Sequence, residues 1–122
     1  MYDSHSNAIK TVISNYFKGI YNGDTTLLKD VFYEESYLFG DINGIPYLKT
    51  VTEYIDGVKS RKSPKDLGEA FKMNIFSIDI MGNNAIVKAQ LPMLGFNYYD
   101  FLSLTKIDGD WKIVNKLFTN VV

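Results

Sequence analysis

The stretch FSIDIMGNNAIVKAQL, residues 76–91, decides how the chain is read. Polar and apolar residues alternate through it, which is the period of a half-buried strand, and the Gly-Asn-Asn at its centre is a turn signal. With Asn83-Asn84 as a two-residue type I′ turn, Gly82 faces Ala85, Asp79 faces Lys88 and Ser77 faces Gln90. That register gathers Phe76, Ile78 and Ile80 with Val87, Ala89 and Leu91, and a slip of one residue would scramble both faces. A second hairpin follows in NYYDFLSLTKIDGDWKIVNKLF, residues 97–118, turning at Asp108-Gly109. Pairing Ile107 with Asp110 sets Ser103, Thr105, Lys112, Val114 and Lys116 on one face. The other face carries Tyr98, Asp100, Leu102, Leu104, Trp111, Ile113, Asn115 and Leu117. Three polar groups interrupt it: Tyr98, Asp100 and Asn115.

Upstream of this meander the apolar period changes from two to that of a helix. Ile9, Val12, Ile13, Tyr16, Phe17, Ile20 and Tyr21 form one face, predicting a helix over residues 6–22 with Asp3 or Ser4 as its cap. Gly23 stands where a helix C′ glycine belongs, and residues 1–5 are expected to fray. Asp24 or Thr25 caps a short second helix through Leu27, Leu28, Val31 and Phe32. Residues 36–39 and 45–47 flank an Asn43-Gly44 turn and read as a small hairpin, with Pro46 confining its second strand to an edge. Thr50 to Glu53 is a capping-box pattern opening a third helix with Val51, Tyr54, Ile55 and Val58 on its apolar stripe. The basic run from Lys59 to Lys65 reads as a solvated loop. The order is ααββαββββ. Helices gathered first and strands last predict an α+β fold, a cone-shaped, curved, mostly antiparallel sheet wrapped around the N-terminal helices.

Composition narrows the function. The 122 residues suit a single domain, and 46% hydrophobic residues suffice for a core. A net charge of −1 without a basic stripe speaks against nucleic acid and against a polybasic membrane surface. Cysteine is absent, which removes disulfides, thiolate metal sites and a cysteine nucleophile together. His5 is the only histidine, so no histidine pair can share a metal or form a dyad, and the acidic residues lack metal-ligand spacing. No P-loop, dinucleotide fingerprint or nucleophile elbow is present; no metal or cofactor is expected. With no signal peptide and no apolar run of membrane-spanning length, a cytoplasmic protein is expected.

From Ile9 onward the residues resemble the nuclear transport factor two-like, or ketosteroid isomerase-like, superfamily, and within it the branch called lumazine-binding. The C-terminal run from Lys106 to Lys116 carries the likeness, supported by Ser77 to Ile80, Gly82 to Ala85, Lys88 and Asp100 to Leu104. Tyr16, Gly19 and the Gly23-Asp24 turn fit it as well. Where relatives often carry Phe-His-Pro after the second helix, this chain has Phe32-Tyr33-Glu34, so any role of that histidine is missing. The resemblance implies a pocket inside the cone and leaves the reaction open.

Asp100, pointing into the apolar face, has two readings: an acid–base group with a raised pKa, or a structural acceptor for Asn115, a tyrosine or backbone amides. Asn115 either orients a ligand carbonyl or pairs with Asp100. Trp111 packs on a helix or stacks on a planar ligand, and Tyr16, Tyr37, Tyr54, Tyr98 and Leu102 are candidate pocket walls. The reading favoured is a small-molecule-binding domain without catalysis, taking a small hydrophobic or planar heteroaromatic ligand. The alternatives are a lyase, isomerase or cyclase acting on a hydrophobic carbonyl compound through Asp100, and a structural or adaptor dimer without ligand. Phe101, Val114 and Phe118 on the outer sheet face point to a homodimer.

Overall fold

The computed structural model describes residues 2–122, with side chains from Ser4 onward. Three helices, α1 (Tyr2–Asn22), α2 (Thr25–Val31) and α3 (Val51–Ser60), cover one face of a six-stranded sheet. The strands are β1 (Phe32–Ile42), β2 (Ile45–Thr50), β3 (Asn74–Met81), β4 (Asn84–Met93), β5 (Phe96–Ile107) and β6 (Asp110–Asn120). Their spatial order is β2-β1-β6-β5-β4-β3, antiparallel throughout except between β1 and β6. The predicted order of elements and the α+β class are those observed. No helix is long and apolar enough to cross a membrane among the described residues.

Local chemistry accounts for most of the boundaries. Ile9, Ile13, Tyr16, Phe17 and Ile20 are the buried stripe of α1, spaced as the helix repeats. The helix runs through the segment expected to fray: residues 2–5 are helical, so Asp3 and Ser4 lie inside it instead of capping it, while Met1 lies outside the described residues. His5 is thereby set edge-on against Trp111, ring centroids 5.5 Å apart. Asp24 caps α2, its carboxylate accepting from the Leu27 amide at 3.1 Å, and Thr50 with Glu53 closes the predicted capping box of α3. Asn43-Gly44 and Asp108-Gly109 both have positive φ at both turn positions, as type I′ turns require. Pro46 sits on edge strand β2.

Two registers depart from expectation. In the β3–β4 hairpin Met81 faces Asn84, so the turn is Gly82-Asn83, one residue earlier than predicted. Gly82 takes the positive φ of 56° at no steric cost, and Asn83 is spared it. Moving the turn by one residue shifts the pairing by two and leaves both faces as expected, with Ile80 opposite Ala85 and Ile78 opposite Val87; the bulge at Phe76 is what exchanges the faces beyond it. Ile75 therefore turns inward in place of Phe76, which is 55% exposed. In the β5–β6 hairpin the predicted register holds as far as Leu104 opposite Ile113. Val114 is then extra, and Ser103 faces Asn115. From there the faces exchange: Asn115 and Leu117 turn outward, Lys116 and Phe118 inward.

The basic run after α3 is also not the solvated loop expected. Ser63 and Pro64 are buried, the Lys65 amide donates to the Tyr21 carbonyl at 3.1 Å, and the Tyr21 hydroxyl donates to the Glu69 carbonyl at 2.5 Å. The Glu69 carboxylate accepts from the Leu94 amide at 2.9 Å. Residues 61–73 thus strap the end of α1 to the β4–β5 turn.

Candidate functional site

The bulge at Val114 builds the site. Without it Lys116 would lie in solvent; with it, the inner face carries Lys116 opposite Leu102, and Phe118 opposite Asp100. Asp100 is fully buried in the middle of β5. The Tyr16 hydroxyl, from α1, donates to Asp100 Oδ2 at 2.5 Å, and the Lys116 ammonium stands 3.8 Å from the same oxygen. Lys116 Nζ also donates to the Tyr54 hydroxyl of α3 at 3.4 Å. It lies 4.6 Å from the Tyr54 ring centre, 5.0 Å from that of Phe118 and 5.5 Å from that of Tyr16. Rings facing an ammonium partly replace its lost hydration, and the carboxylate supplies the rest.

Burial pushes the Asp100 carboxyl above its ordinary range, and the Lys116 charge and the Tyr16 hydrogen bond pull the other way without cancelling it. Burial, followed by the Asp100 charge, holds Tyr16 well above an ordinary tyrosine, so it stays a donor. Tyr47, pushed up to about 12, and Tyr98 are raised by burial too.

A cavity of about 40 Å³ opens onto this cluster, lined by Tyr47, Tyr54, Arg61, Tyr98, Asp100 and Lys116 among apolar neighbours that include Leu91 and Phe118. At about 10–15 Å³ per water-sized atom, it has room for roughly three. Half-buried Tyr47 and Tyr98 stand at its mouth, their rings 5.0 and 6.0 Å from Phe118. Three buried polar atoms at this end of the fold lack a partner: Asp100 Oδ1, and Nε and Nη2 of Arg61. Larger depressions, of about 520 Å³ beside Lys10 and Phe76 and about 550 Å³ beside Glu69 and Val122, do not include Asp100.

Of the residues singled out in the sequence, Tyr16, Tyr54, Tyr98 and Asp100 come together here. Leu102 is fully buried in the core and does not line the cavity. Tyr37 lies on the outer face, 51% exposed and tilted against Phe39. Asn115, turned outward by the bulge, donates to the Tyr37 carbonyl at 3.2 Å and cannot pair with Asp100. Trp111 is buried against α1, away from the cavity. Lys116, Arg61 and Tyr47 were missed. The signal for Lys116 was ambiguous by nature, since Leu117 and Phe118 are both apolar and either phase of the strand satisfies the pattern. No group of acidic or histidine side chains among the described residues could hold a metal.

The family model described as "Putative lumazine-binding" matches residues 4–119, and the chain belongs to that family. Among solved structures it is similar to a nuclear transport factor two-like protein of unknown function from Shewanella baltica, at 26% identity, with 100% of this chain and 98% of that one covered and a TM-score of 0.89. A second such protein, from Silicibacter pomeroyi, matches with a TM-score of 0.90 at 20% identity, covering 99% of both chains. Among curated proteins it is similar to the aldolase FrzH of a Cladobotryum species, 29% identical over 105 residues, which are 84% of this chain and 81% of that protein.

Proposed function

We propose that the chain binds a compact, oxygenated small molecule in the conical interior, its carbonyl oxygen received by Lys116 and Tyr54. The observation that carries this reading is the convergence of buried, unpartnered polar atoms on one cavity, because buried polar groups are otherwise paired. The room for roughly three atoms fits a head group. A planar heteroaromatic body would have to lie at the mouth, between Tyr47 and Tyr98. In this reading the ligand is held and not transformed.

The likeness to an aldolase favours a second reading, in which the same groups act on a carbonyl compound. The Asp100 carboxylate takes the proton from the carbon beside the carbonyl. The C–H electron pair becomes the carbon–carbon double bond of the enolate, the carbonyl π pair moves onto oxygen, and the Lys116 ammonium meets the negative charge that develops there. The resulting enolate then adds to a second carbonyl or is reprotonated elsewhere.

Both readings are tested on the same samples, with 2-butanone and cyclohexanone as probes. Binding is expected to raise the melting temperature and to be lost in Lys116→Met and in the milder Tyr54→Phe. Catalysis adds deuterium incorporation beside the carbonyl in D2O, followed by NMR and abolished in Asp100→Asn. A melting shift without exchange leaves the binding reading alone. The absence of any shift, with either ketone and with the acid probe used below, sinks both and leaves an adaptor without ligand.

The assembly proposed is a homodimer through the outer sheet face, on a stripe other than the one expected. Phe118 and Lys116 face inward. Leu48, Phe39, Leu117 and Phe101 are instead consecutive partners across β2, β1, β6 and β5, with exposures of 63, 42, 49 and 43%. A continuous apolar row across four strands is the kind of surface a second copy covers.

A further inference from the structure

The interior charges do not balance. Of the cavity-lining groups, Lys116 and Arg61 are cations and Asp100 is the one carboxylate. Asp100 and Lys116 neutralise each other at 3.8 Å. Among the described residues the remaining ion pair is Lys112 with Asp30, so Arg61 has no countercharge. Glu53 closes the α3 capping box and Glu69 accepts from Leu94.

The geometry of the unpartnered atoms is more specific than a charge count. Nε and Nη2 are the two nitrogens on one edge of the guanidinium plane, whose N–H bonds run parallel. That edge binds the two oxygens of a carboxylate in a fork, which a lysine cannot imitate. Both atoms are buried, while Arg61 as a residue is half-buried. Arg61 directly follows α3, where its backbone turns to φ −99° and ψ 160° with the amide still donating to Gly57. The side chain is therefore anchored at the end of a helix that also supplies Tyr54 to the cluster. The cavity's room for roughly three atoms is the size of one carboxylate group.

We infer that the ligand is a carboxylic acid, held as its anion by the Nε–Nη2 edge of Arg61. The inference rests on the binding reading above. It adds that the oxygenated head group filling the cavity is the carboxylate itself, set between Arg61 and Lys116, with the rest of the molecule at the mouth. The charge of the ligand then offsets that of Arg61.

The test compares levulinate with its methyl ester on the intact protein, with chloride at equal ionic strength as the control for a general anion effect. Levulinate is expected to raise the melting temperature above the chloride control and to move the Arg61 Nε–Hε resonance in wild-type protein. Arg61→Gln should weaken levulinate binding by about 10- to 100-fold, the loss expected for hydrogen bonds to a charged group, and Arg61→Lys should restore only part of it. Without ligand, Arg61→Gln should melt no lower than wild type, since it removes an uncompensated charge. Equal affinity for ester and acid, or an unmoved Arg61 resonance in saturated wild-type protein, overturns the inference and spares the carbonyl-binding reading. Failure of acid, ester and the neutral ketones alike overturns both. The resonance in wild-type protein decides the matter even if Arg61→Gln does not fold.

Discussion

Lys116 keeps its ammonium within 3.8 Å of Asp100 while the rings of Tyr54, Phe118 and Tyr16 take the place of water around it. Such a pair is costly to bury and costlier to break, because removing one member strands the other. Asp100 shows which effect is larger. Its folded pKa lies above its ordinary value of 3.8, with burial the first cause. The contribution of Asp100 to stability is therefore fully present below the unfolded pKa and is lost as pH rises through the folded one. Asp100→Asn keeps the shape and removes the titration. In urea melts, the stability of wild type relative to Asp100→Asn should fall as pH rises from about 4, by about 1.4 kcal/mol for each pH unit between the two pKa values. A rise instead would mean that Lys116 and Tyr16 outweigh desolvation. Asp100 was visible in the sequence as a charged residue on an apolar face. Arg61 was not, because a basic residue in a basic run after a helix carries no mark of burial.

At the scale of the strand, the site depends on where β6 breaks its alternation and on how closely β1 approaches it there. Gly40 is the Cα partner of Phe118, and a Cβ built on Gly40 would sit 2.0 Å from the Phe118 carbonyl oxygen and 2.9 Å from its ring. Only backbone movement could relieve that contact, and movement there disturbs the Tyr47–Phe118 ring pair at the cavity mouth. Gly40→Ala should cost about 3 kcal/mol in chemical denaturation and weaken ligand binding as well. Gly57, in the exposed part of α3, has nothing within 4 Å of such a Cβ. Gly57→Ala should therefore stabilise by about 0.5–1 kcal/mol, since alanine loses less backbone freedom in a helix. Opposite signs from one substitution type separate a packing glycine from an incidental one. On β1 the Ser36 hydroxyl shares its proton between the Tyr33 carbonyl at 2.6 Å and the Ile113 carbonyl at 3.0 Å, where the ladder is interrupted.

For the whole molecule, one irregularity supplies two surfaces. The extra residue at Val114 turns Lys116 into the cone and Leu117 out onto the apolar row beside Phe39 and Phe101. If that row joins two copies, light scattering at tens of micromolar should give twice the mass of the 122-residue chain. Leu117→Lys with Phe101→Lys should return a folded monomer. A wild-type monomer at that concentration defeats the dimer. The outer face and the interior are back to back on β5 and β6, so dimer and ligand site are built by the same strands without sharing side chains.

The sequence by itself determined the order of the elements, the caps of α2 and α3, two of the hairpin turns and the placement of Asp100 in an apolar face. Each of these follows from residues near one another in the chain: apolar period, capping side chains, Asn-Gly and Asp-Gly turns. The tertiary structure decided the two bulges, the turn at Gly82-Asn83, and hence which of Asn115 and Lys116 faces the interior. Pairs such as Ile75-Phe76 and Leu117-Phe118 satisfy either strand phase locally, and only packing against the helices and the neighbouring strands selects one. The approach of Arg61 to the cavity is likewise set by the course of residues 61–73 across the end of α1, and no local signal encodes it.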